Sequence, residues 1–201
     1  AATVATLTGT AAVVNTALGS SGISGLGNEA VTISDTSITA SVLNTLDDNT
    51  SGAVNAATVT TINGSAADAN TAYASNGITG LGDEVVVISD TSLAASVLNT
   101  LDGNTTGAVN AATVTTLTGT AATANTAYAS SGISGLGNEA VTLSDTSLAS
   151  SVLNTLDGNT TGAVNAATVT TLTGLAADAN TAYASGGISG LGNEAVTLSD
   201  T

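Results

Sequence analysis

Short stretches of alternating apolar and polar residues recur at a regular spacing along the chain. Two examples are Val114-Thr115-Thr116-Leu117-Thr118 and Val141-Thr142-Leu143-Ser144. Their β-branched residues and two-residue period are typical of a strand with one buried face. The pattern predicts seven or eight strands, near residues 3–7, 30–34, 57–62, 85–89, 112–117, 140–144, 167–172 and 195–199.

After each strand the spacing of the apolar residues changes to that of a helix. In residues 146–158 the apolar positions are Leu148, Val152, Leu153 and Leu156. This spacing places them on one helical face. We expect Asp145, Thr146 or Ser147 to cap the start of this helix and Gly158 to end it in a left-handed conformation.

A second, Ala-rich helix is predicted in the other half of the pattern, over residues 121–129. Gly132 follows it as a stop signal, and the apolar Ile133 comes directly after. Each strand is therefore followed by a helix, in the same order throughout.

These elements belong to a longer repeat that is written four times. The copies are 1–55, 56–110, 111–165 and an incomplete fourth, 166–201, and the second and third are identical at 44 of 55 positions. Neither end of the chain carries an atypical polar capping repeat, which a free-standing solenoid needs. We therefore expect this sequence to be part of a longer repeat protein.

One strand and one helix in each coil of about 27–28 residues predict a right-handed α/β solenoid with a parallel sheet, two coils to a repeat. The array covers residues 1–201 as a single domain. The spacing Val109-x-x-Ala112-x-Val114-x-x-Leu117 resembles that of leucine-rich repeats, although Leu117 occupies the position where those repeats carry Asn. That resemblance implies architecture alone. A pure β-solenoid is the alternative.

The amino-acid composition excludes several classes of function. The chain has no Lys, Arg, His, Cys, Met, Trp, Phe, Pro or Gln, and its 15 carboxylates give a net charge of -15. Nucleic-acid binding is excluded because it needs cationic side chains, and most acid/base and nucleophilic catalysis lacks its usual residues. We expect no enzyme and no membrane insertion, since no run approaches about 20 apolar residues. Salt screens the repulsion among these carboxylates. We therefore expect the protein to lie in a saline environment outside the cell, either extracellular or at the cell surface.

One motif has the spacing of calcium ligands. Oxygen-bearing side chains at positions 1, 3 and 5, with Gly at position 6, match the first half of an EF-hand loop. The candidate ligands are Asp47, Asn49 and Ser51, then Asp102, Asn104 and Thr106, then Asp157, Asn159 and Thr161. Thr58, Thr113 and Thr168 stand where the bidentate Glu is required, so a helix end followed by a turn explains the same residues. Calcium is the one cofactor that the sequence suggests.

A second set of carboxylates recurs at a fixed spacing. Its members are Glu29, Glu84, Glu139 and Glu194, with Asp35, Asp90, Asp145 and Asp200. A pair of this kind can act as acid and base in glycoside hydrolysis. We instead expect the Asp residues to cap helices and the Glu residues to lie in solvated loops. Tyr73, Tyr128 and Tyr183 are expected to pack with the hydroxyl at the rim.

A column of threonines is predicted on the outer face of the strands. It consists of Thr32, Thr60, Thr115, Thr142, Thr170 and Thr197. Regular threonine ladders can bind ice, although Thr is also simply favoured on exposed strands. An ice-binding surface is therefore a further hypothesis.

The long phrases of the repeat, such as residues 132–146 and 152–162, resemble those of giant, acidic, Thr- and Ala-rich extracellular proteins of marine cyanobacteria. The resemblance implies a structural protein that forms a fibre, a sheath or a stalk. Its partners would be neighbouring repeats or copies of itself. An adhesin segment stiffened by calcium is the alternative function.

Overall fold

The computed structural model describes residues 4–200, which form seven helices and four sheets with every strand pairing parallel. Strands and helices alternate along the chain, as expected for an α/β solenoid. The predicted fold class is confirmed, and the pure β-solenoid alternative is wrong. The chain divides into two compact units: unit 1 is residues up to 89 together with 100–110, and unit 2 is residues 90–99 together with those from 111 on.

Unit 1 contains three complete helices and eight strands among the described residues. They are β1 (Thr6–Gly9), α1 (Ala11–Leu18), β2 (Ala30–Ile33), β3 (Ser37–Thr39), α2 (Ala40–Asn49), β4 (Val54–Asn55), β5 (Thr61–Gly64), α3 (Ala66–Ala74), β6 (Ile78–Thr79), β7 (Val85–Ile88) and β9 (Val109–Asn110). Helix α4 (Ala95–Asn104) has residues in each unit.

Unit 2 is built from the same kinds of strand and helix. Its elements are β8 (Ser92–Ala94), β10 (Thr116–Gly119), α5 (Ala121–Ala129), β11 (Ile133–Ser134), β12 (Ala140–Leu143), β13 (Ser147–Ala149), α6 (Ser150–Asn159), β14 (Val164–Asn165), β15 (Thr171–Gly174), α7 (Ala176–Ala184), β16 (Ile188–Ser189) and β17 (Ala195–Leu198). Within residues 4–200 no helix is both long and apolar enough to cross a bilayer.

Each unit carries strands of more than one sheet. In unit 1, sheet 1 has the order β1-β2-β4-β6, and sheet 2 holds β3, β5, β7 and β9. In unit 2, sheet 3 has the order β8-β10-β12-β14-β16 and sheet 4 the order β13-β15-β17. Sheets 2, 3 and 4 begin with equivalent strands, at Ser37, Ser92 and Ser147.

Strand partners are separated by less than one full coil of the sequence. Thr116 pairs with Ala140 and Val141 pairs with Val164, whereas a full coil separates Val114 from Val141. Because the pairing step is shorter than the coil, each strand lies earlier in its coil than its predecessor did. Each sheet therefore drifts across the coil, and a new sheet begins in each successive repeat.

The strand predictions are right in one half of each repeat and displaced in the other. Strands β2, β7, β12 and β17 agree with the predicted positions to within one residue. The strands predicted at 57–62, 112–117 and 167–172 begin later, at Thr61, Thr116 and Thr171. Their first residues belong to a preceding turn, in which the amide of Val59 donates to the carbonyl of Ala56. The prediction at 3–7 is displaced in the same way, and its first residue lies outside those described.

The ends of both types of helix differ from the prediction. Residues 147–149, expected to open a helix, form strand β13, and α6 begins at Ser150 without a side-chain cap. Gly158 lies inside α6 and has no positive φ, so the predicted glycine stop there is wrong. The Ala-rich helix α5 occupies the predicted residues, 121–129, but its C-cap is Ser130 rather than the predicted Gly132.

The core consists of apolar side chains from strands and helices that alternate in the sequence. Helix α6 packs against β13 and β15, and it touches α5 and α7 on its two sides. Asparagine amides join these helices, since Asn125 donates to the carbonyl of Val152 at 3.1 Å and Asn154 to that of Asp178 at 2.9 Å. The small Ala side chains of α5 and α7 allow helices to approach closely enough for these bonds.

Candidate functional site: a buried glutamate in each repeat

The residue that stands out chemically is the glutamate at the end of each Gly-Leu-Gly loop. Glu29, Glu84 and Glu139 are buried, and Glu194 is partly exposed. The expectation that these glutamates occupy solvated loops is wrong. A buried carboxylate is costly unless its oxygens accept hydrogen bonds, so the donors around it define the site.

The first donors are amides of the glutamate's own loop. Gly80 and Gly82 have φ of 83° and 142°, values that residues other than glycine rarely adopt. This backbone conformation turns the amide of Gly82 toward Oε2 of Glu84, at 2.9 Å. The same bond measures 2.7 Å from Gly27 to Glu29 and 2.8 Å from Gly137 to Glu139.

The second donor is a tyrosine that precedes the glutamate in the sequence. The Tyr73 hydroxyl donates to Oε2 of Glu84 at 2.9 Å, and Tyr128 donates to Glu139 at 3.0 Å. Helices α3 and α5 present these half-buried rings to the loop. The first repeat carries Leu18 at this position, and there the amide of Asn28 supplies a further bond to Glu29 at 3.1 Å.

The following coil also contacts the glutamate, at its backbone carbonyl. The Thr105 hydroxyl donates to the backbone carbonyl of Glu84 at 2.7 Å and accepts from the Gly107 amide at 3.0 Å. A side chain at Gly107 would overlap the Glu84 carbonyl, so only glycine permits this approach. Thr160 and Gly162 repeat the arrangement around Glu139.

Hydrogen bonding and burial shift the titration of these groups. The hydrogen bond from the Gly27 amide lowers the pKa of Glu29, against the opposing effect of its burial. Burial raises the pKa of Tyr73 and of Tyr128, and the neighbouring Glu84 and Glu139 act in the same direction. Hydrogen bonding therefore favours the ionised form of Glu29, and burial favours the neutral form of the Tyr73 and Tyr128 phenols.

Two further facts limit what the site can do. Oε1 of Glu29, Glu84 and Glu139 is buried and has no hydrogen-bond partner among the described residues. Over residues 4–200 no pocket is present in which a substrate would fit beside it. The arrangement thus joins a loop, a helix and the following coil.

The calcium candidates lie at a helix end, and their polar atoms point to different neighbours. Asp47 and Asn49 belong to α2, and Ser51 follows it. Asp47 accepts from the Ser75 hydroxyl at 2.6 Å, Asn49 donates to Asn15 at 3.0 Å, and Ser51 donates to the carbonyl of Gly27 at 3.3 Å.

The other two candidate loops follow the same pattern. In the third loop Asp157 accepts from Ser185 at 2.6 Å, Asn159 donates to Asn125 at 2.9 Å and Thr161 donates to Gly137 at 3.4 Å. In the second loop Asn104 donates to Asn70 and Thr106 to Gly82, and Asp102 lies in α4. In the part of the chain that the structure describes, no three acidic side chains come together as metal ligands. Calcium binding at these loops stays a prediction.

The aspartates of the second carboxylate set do cap helices, but not the helices that follow them. Asp145 accepts from the amide of Ala121, the first residue of α5, at 2.8 Å. Asp35 does the same for Ala11 at 2.8 Å and Asp200 for Ala176 at 2.7 Å. Each cap thus reaches back to the helix of the preceding coil.

The predicted threonine column does not form. Thr142 pairs with Thr118 and Asn165, whereas Thr115 lies before its strand and donates its hydroxyl to the carbonyl of Thr91 at 3.0 Å. Thr60 and Thr170 make the equivalent bond to Thr36 and Thr146. The column assumed that threonines align at the spacing of a full coil, whereas the strands align at a shorter step.

The fold and the repeated site together define a repeat protein of the α/β solenoid class, in which each repeat carries a glutamate that accepts a hydrogen bond from a glycine amide of its own loop. Comparisons of the chain with protein-family models, with curated proteins and with solved structures give no match.

Proposed function

We propose that this chain is a structural segment of an extracellular or cell-surface repeat protein, and that it acts as part of a fibre, a sheath or a stalk. The observation that supports this is the use of the polar side chains. Glu84 with Thr105, Asp145 with Ala121, and Asp157 with Ser185 each join one coil to another. Polar groups that an enzyme would direct at a substrate are used here to hold coils together.

The charge supports the same proposal. With 15 carboxylates and no cationic side chain, the chain resists close association with other acidic surfaces at low salt. The lack of Lys and Arg also leaves no cleavage site for trypsin-like proteases. Both properties suit a protein exposed outside the cell. The proposed kinship with acidic repeat proteins of marine cyanobacteria rests on the repeat phrases of residues 132–146 and 152–162.

Antibody labelling of the cells that produce the protein tests the proposal. We expect labelling of intact, unpermeabilised cells and thin, uniform fibres when the labelled material is viewed by electron microscopy. An antibody against an abundant internal protein of the same cells is the control. Labelling that appears only after permeabilisation would contradict the extracellular role.

A calcium-stiffened adhesin segment is the second candidate, supported by the carboxylate and amide oxygens that recur at the ends of α2 and α6. Titration calorimetry of the whole chain with Ca²⁺ tests it, with Mg²⁺ as the comparison ion. Heat at millimolar Ca²⁺ that disappears in the Asp47→Asn, Asp102→Asn, Asp157→Asn variant would support it. Absence of heat in the unmodified chain would contradict it.

A further inference from the structure

A hydrogen bond between a glycine amide and a serine hydroxyl recurs in every repeat, just after the first helix of the repeat. In the second repeat the Gly77 amide donates to the Ser75 hydroxyl at 2.9 Å. The amides that make the same bond in the other repeats are those of Gly22, Gly132 and Gly187. The residue between the two partners varies, and in successive repeats it is Ser21, Asn76, Ser131 and Gly186. The second repeat alone therefore places a carboxamide side chain directly before this amide.

An asparagine that precedes a glycine can react with its own backbone. The glycine nitrogen attacks Cγ of the asparagine, ammonia leaves, and a succinimide ring forms. Glycine permits this reaction best because no side chain obstructs the approach. The chain contains two such pairs, Asn63-Gly64 and Asn76-Gly77. Since the backbone nitrogen must lose its proton to become nucleophilic, a base placed at that proton accelerates the reaction.

A base of this kind is in place at Gly77. The Gly77 amide donates to Oγ of Ser75, and the Ser75 hydroxyl in turn donates to Oδ2 of Asp47 at 2.6 Å. The other carboxylate oxygen of Asp47 lies against Gly77, where a larger side chain would overlap it. Gly77, Ser75 and Asp47, called here the amide relay, thus form a chain of hydrogen bonds from the amide proton to a carboxylate.

The two asparagines differ in how firmly they are held. Asn76 is exposed, and among the described residues its side-chain amide has no hydrogen-bond partner, so it is free to turn toward the Gly77 nitrogen. Asn63 lies in β5, which pairs with β3 and β7, and its side chain donates to the Ser37 hydroxyl at 2.9 Å. Cyclisation at Asn63 would require this strand pairing to open, whereas cyclisation at Asn76 would not.

We propose that Asn76 is a self-modification site, at which the amide relay promotes attack of the Gly77 nitrogen on Cγ of Asn76. The N–Cγ bond forms and the Cγ–Nδ2 bond breaks. The amide proton moves to Ser75 while the hydroxyl proton of Ser75 moves to Asp47, and one proton is then returned to Nδ2, which leaves as ammonia. Water opens the succinimide at either carbonyl and gives aspartate or isoaspartate at position 76. Ser75 contacts the reacting nitrogen, and Asp47 is a positioning residue that acts through Ser75.

The modification changes the backbone where two strands begin to pair. The Gly77 carbonyl accepts from the Val54 amide at 2.8 Å, one of the bonds that join β4 to β6. Isoaspartate lengthens the backbone by one methylene group directly before this bond. Either product also adds a carboxylate near Asp47, in a chain with no cationic side chain to offset it. Modification therefore weakens the pairing of β6 with β4.

Incubation of the whole chain near neutral pH tests the proposal. Endoproteinase Asp-N, which cuts before aspartate, separates residues 68–82, which contain Asn76, from residues 48–67, which contain Asn63. Mass spectrometry then follows the loss of each asparagine. We expect Asn76 to convert faster than Asn63. The variants Ser75→Ala and Asp47→Asn should each slow conversion at Asn76 at least about 10-fold, since general base catalysis usually contributes more than this, and should leave the rate at Asn63 unchanged.

The matched control is Asn76→Ser, which introduces the residue of the first and third repeats and should abolish conversion at this position. Conversion at Asn76 that is unchanged or faster in Ser75→Ala and Asp47→Asn would overturn the proposal, because a merely looser loop speeds cyclisation. In Asp47→Asn the amide proton must be removed by hydroxide, so the rate at Asn76 should rise more steeply with pH than in the unmodified chain. Equal pH dependence in the two chains would contradict the role of Asp47.

A synthetic peptide of residues 68–82 gives a comparison that needs no variant to fold. The peptide contains Ser75, Asn76 and Gly77 but lacks Asp47. We expect Asn76 to convert faster in the folded chain than in the peptide, and a slower rate in the folded chain would overturn the proposal. None of these outcomes affects the cell-labelling test, so the self-modification site and the structural role can fail separately.

Discussion

Glu139 is a buried carboxylate in a chain that contains no cation to neutralise it. Its stabilisation comes from the Gly137 amide and the Tyr128 hydroxyl, both on the same oxygen. Hydrogen bonds to an ionised group contribute about 1.5–3 kcal/mol each, and removal of one donor leaves the charge poorly compensated. We therefore expect loss of the tyrosine hydroxyl to lower the free energy of unfolding by more than the loss of an ordinary hydrogen bond between neutral groups.

Substitution Tyr128→Phe tests this contribution. We expect the free energy of unfolding to fall by about 2 kcal/mol, because the ring still packs while Glu139 loses a donor. Urea denaturation followed by circular dichroism measures the change.

Tyr183→Phe is the matched control, because Tyr183 donates to Glu194 in a more exposed setting, where water replaces the lost donor. We expect a loss below about 0.5 kcal/mol there. Equal losses of unfolding free energy in the two variants would contradict the prediction that burial of the glutamate increases the contribution of this hydrogen bond.

The tyrosines also predict a dependence on alkaline pH. Burial raises the pKa of Tyr73 and Tyr128 above the value of about 10 found in unfolded chains. A raised pKa means that the folded state holds the proton more tightly than the unfolded state. The stabilisation is thus fully present below pH of about 10 and declines as pH rises beyond it.

Ultraviolet titration of phenolate in the folded chain measures this effect. We expect Tyr73 and Tyr128 to ionise late and together with unfolding. The Tyr73→Phe, Tyr128→Phe variant, which retains Tyr183 alone, should lose this late, unfolding-linked component. Ordinary, reversible titration of all three tyrosines near pH of about 10 would contradict the prediction.

At the residue scale, sequence reasoning found the right positions and gave some of them the wrong environment. A glutamate in a Gly-rich loop normally remains in water, so Glu84 looked solvated. Its burial depends on Tyr73, on the preceding helix, and on Gly107, which belongs to the next coil. The recurring Tyr–Glu spacing was a usable signal, whereas the role of Gly107 became visible only in three dimensions.

Between elements, the aspartate cap links a strand end to a helix of the preceding coil. Asp145 follows β12 and accepts the first amide of α5, where the positive end of the helix dipole favours a carboxylate. The bond thus fixes the position of α5 relative to the strand beside it.

Substitution Asp145→Ala tests the cap. We expect a loss of about 1 kcal/mol in the free energy of unfolding, the usual cost of removing a helix cap. Thermal and urea denaturation both serve as measurements.

Asp48→Ala, at an exposed site where two other repeats carry Gly, is the control and should change stability by less than about 0.5 kcal/mol. A loss at Asp145 no greater than at Asp48 would contradict the capping role.

At the element scale, the alternation of strand and helix was predictable, and the boundaries were less so. The strands with two clear alternating apolar residues, such as Val141 and Leu143, were located well. Strand β13 was missed because Leu148 also fits the helical spacing of the residues after it. Only its pairing with β15, in the next coil, makes residues 147–149 extended.

For the whole molecule, the short pairing step makes the two halves of a repeat unequal. The first half of a repeat supplies strands such as β10 and β11, and the second supplies β12, β13 and β14. A half repeat cannot replace its neighbour, because the strands would then meet partners at the wrong position in the coil.

Two internal deletions test this. Deletion of residues 56–110 brings β10 next to the position that β5 occupies beside β3, so we expect a folded chain with unchanged helix content per residue. Deletion of residues 56–83 alone removes β5, α3 and β6 and should abolish cooperative unfolding of unit 1. Circular dichroism and thermal melts compare the two, and equal behaviour would contradict the unequal roles of the halves.

The overlap of successive sheets affects how the loss of hydrogen bonds between two strands spreads to the neighbouring strands. In unit 1, sheet 1 runs from β1 to β6 and sheet 2 already begins at β3, so residues 37–79 hold strands of both. Loss of the hydrogen bonds between β2 and β4 breaks sheet 1. The hydrogen bonds between β3 and β5, in the same coils, stay intact. The seam between β2 and β4 is thus bridged by the intact β3–β5 pairing beside it, and we expect a rupture of sheet 1 at that seam to stop before the coils separate.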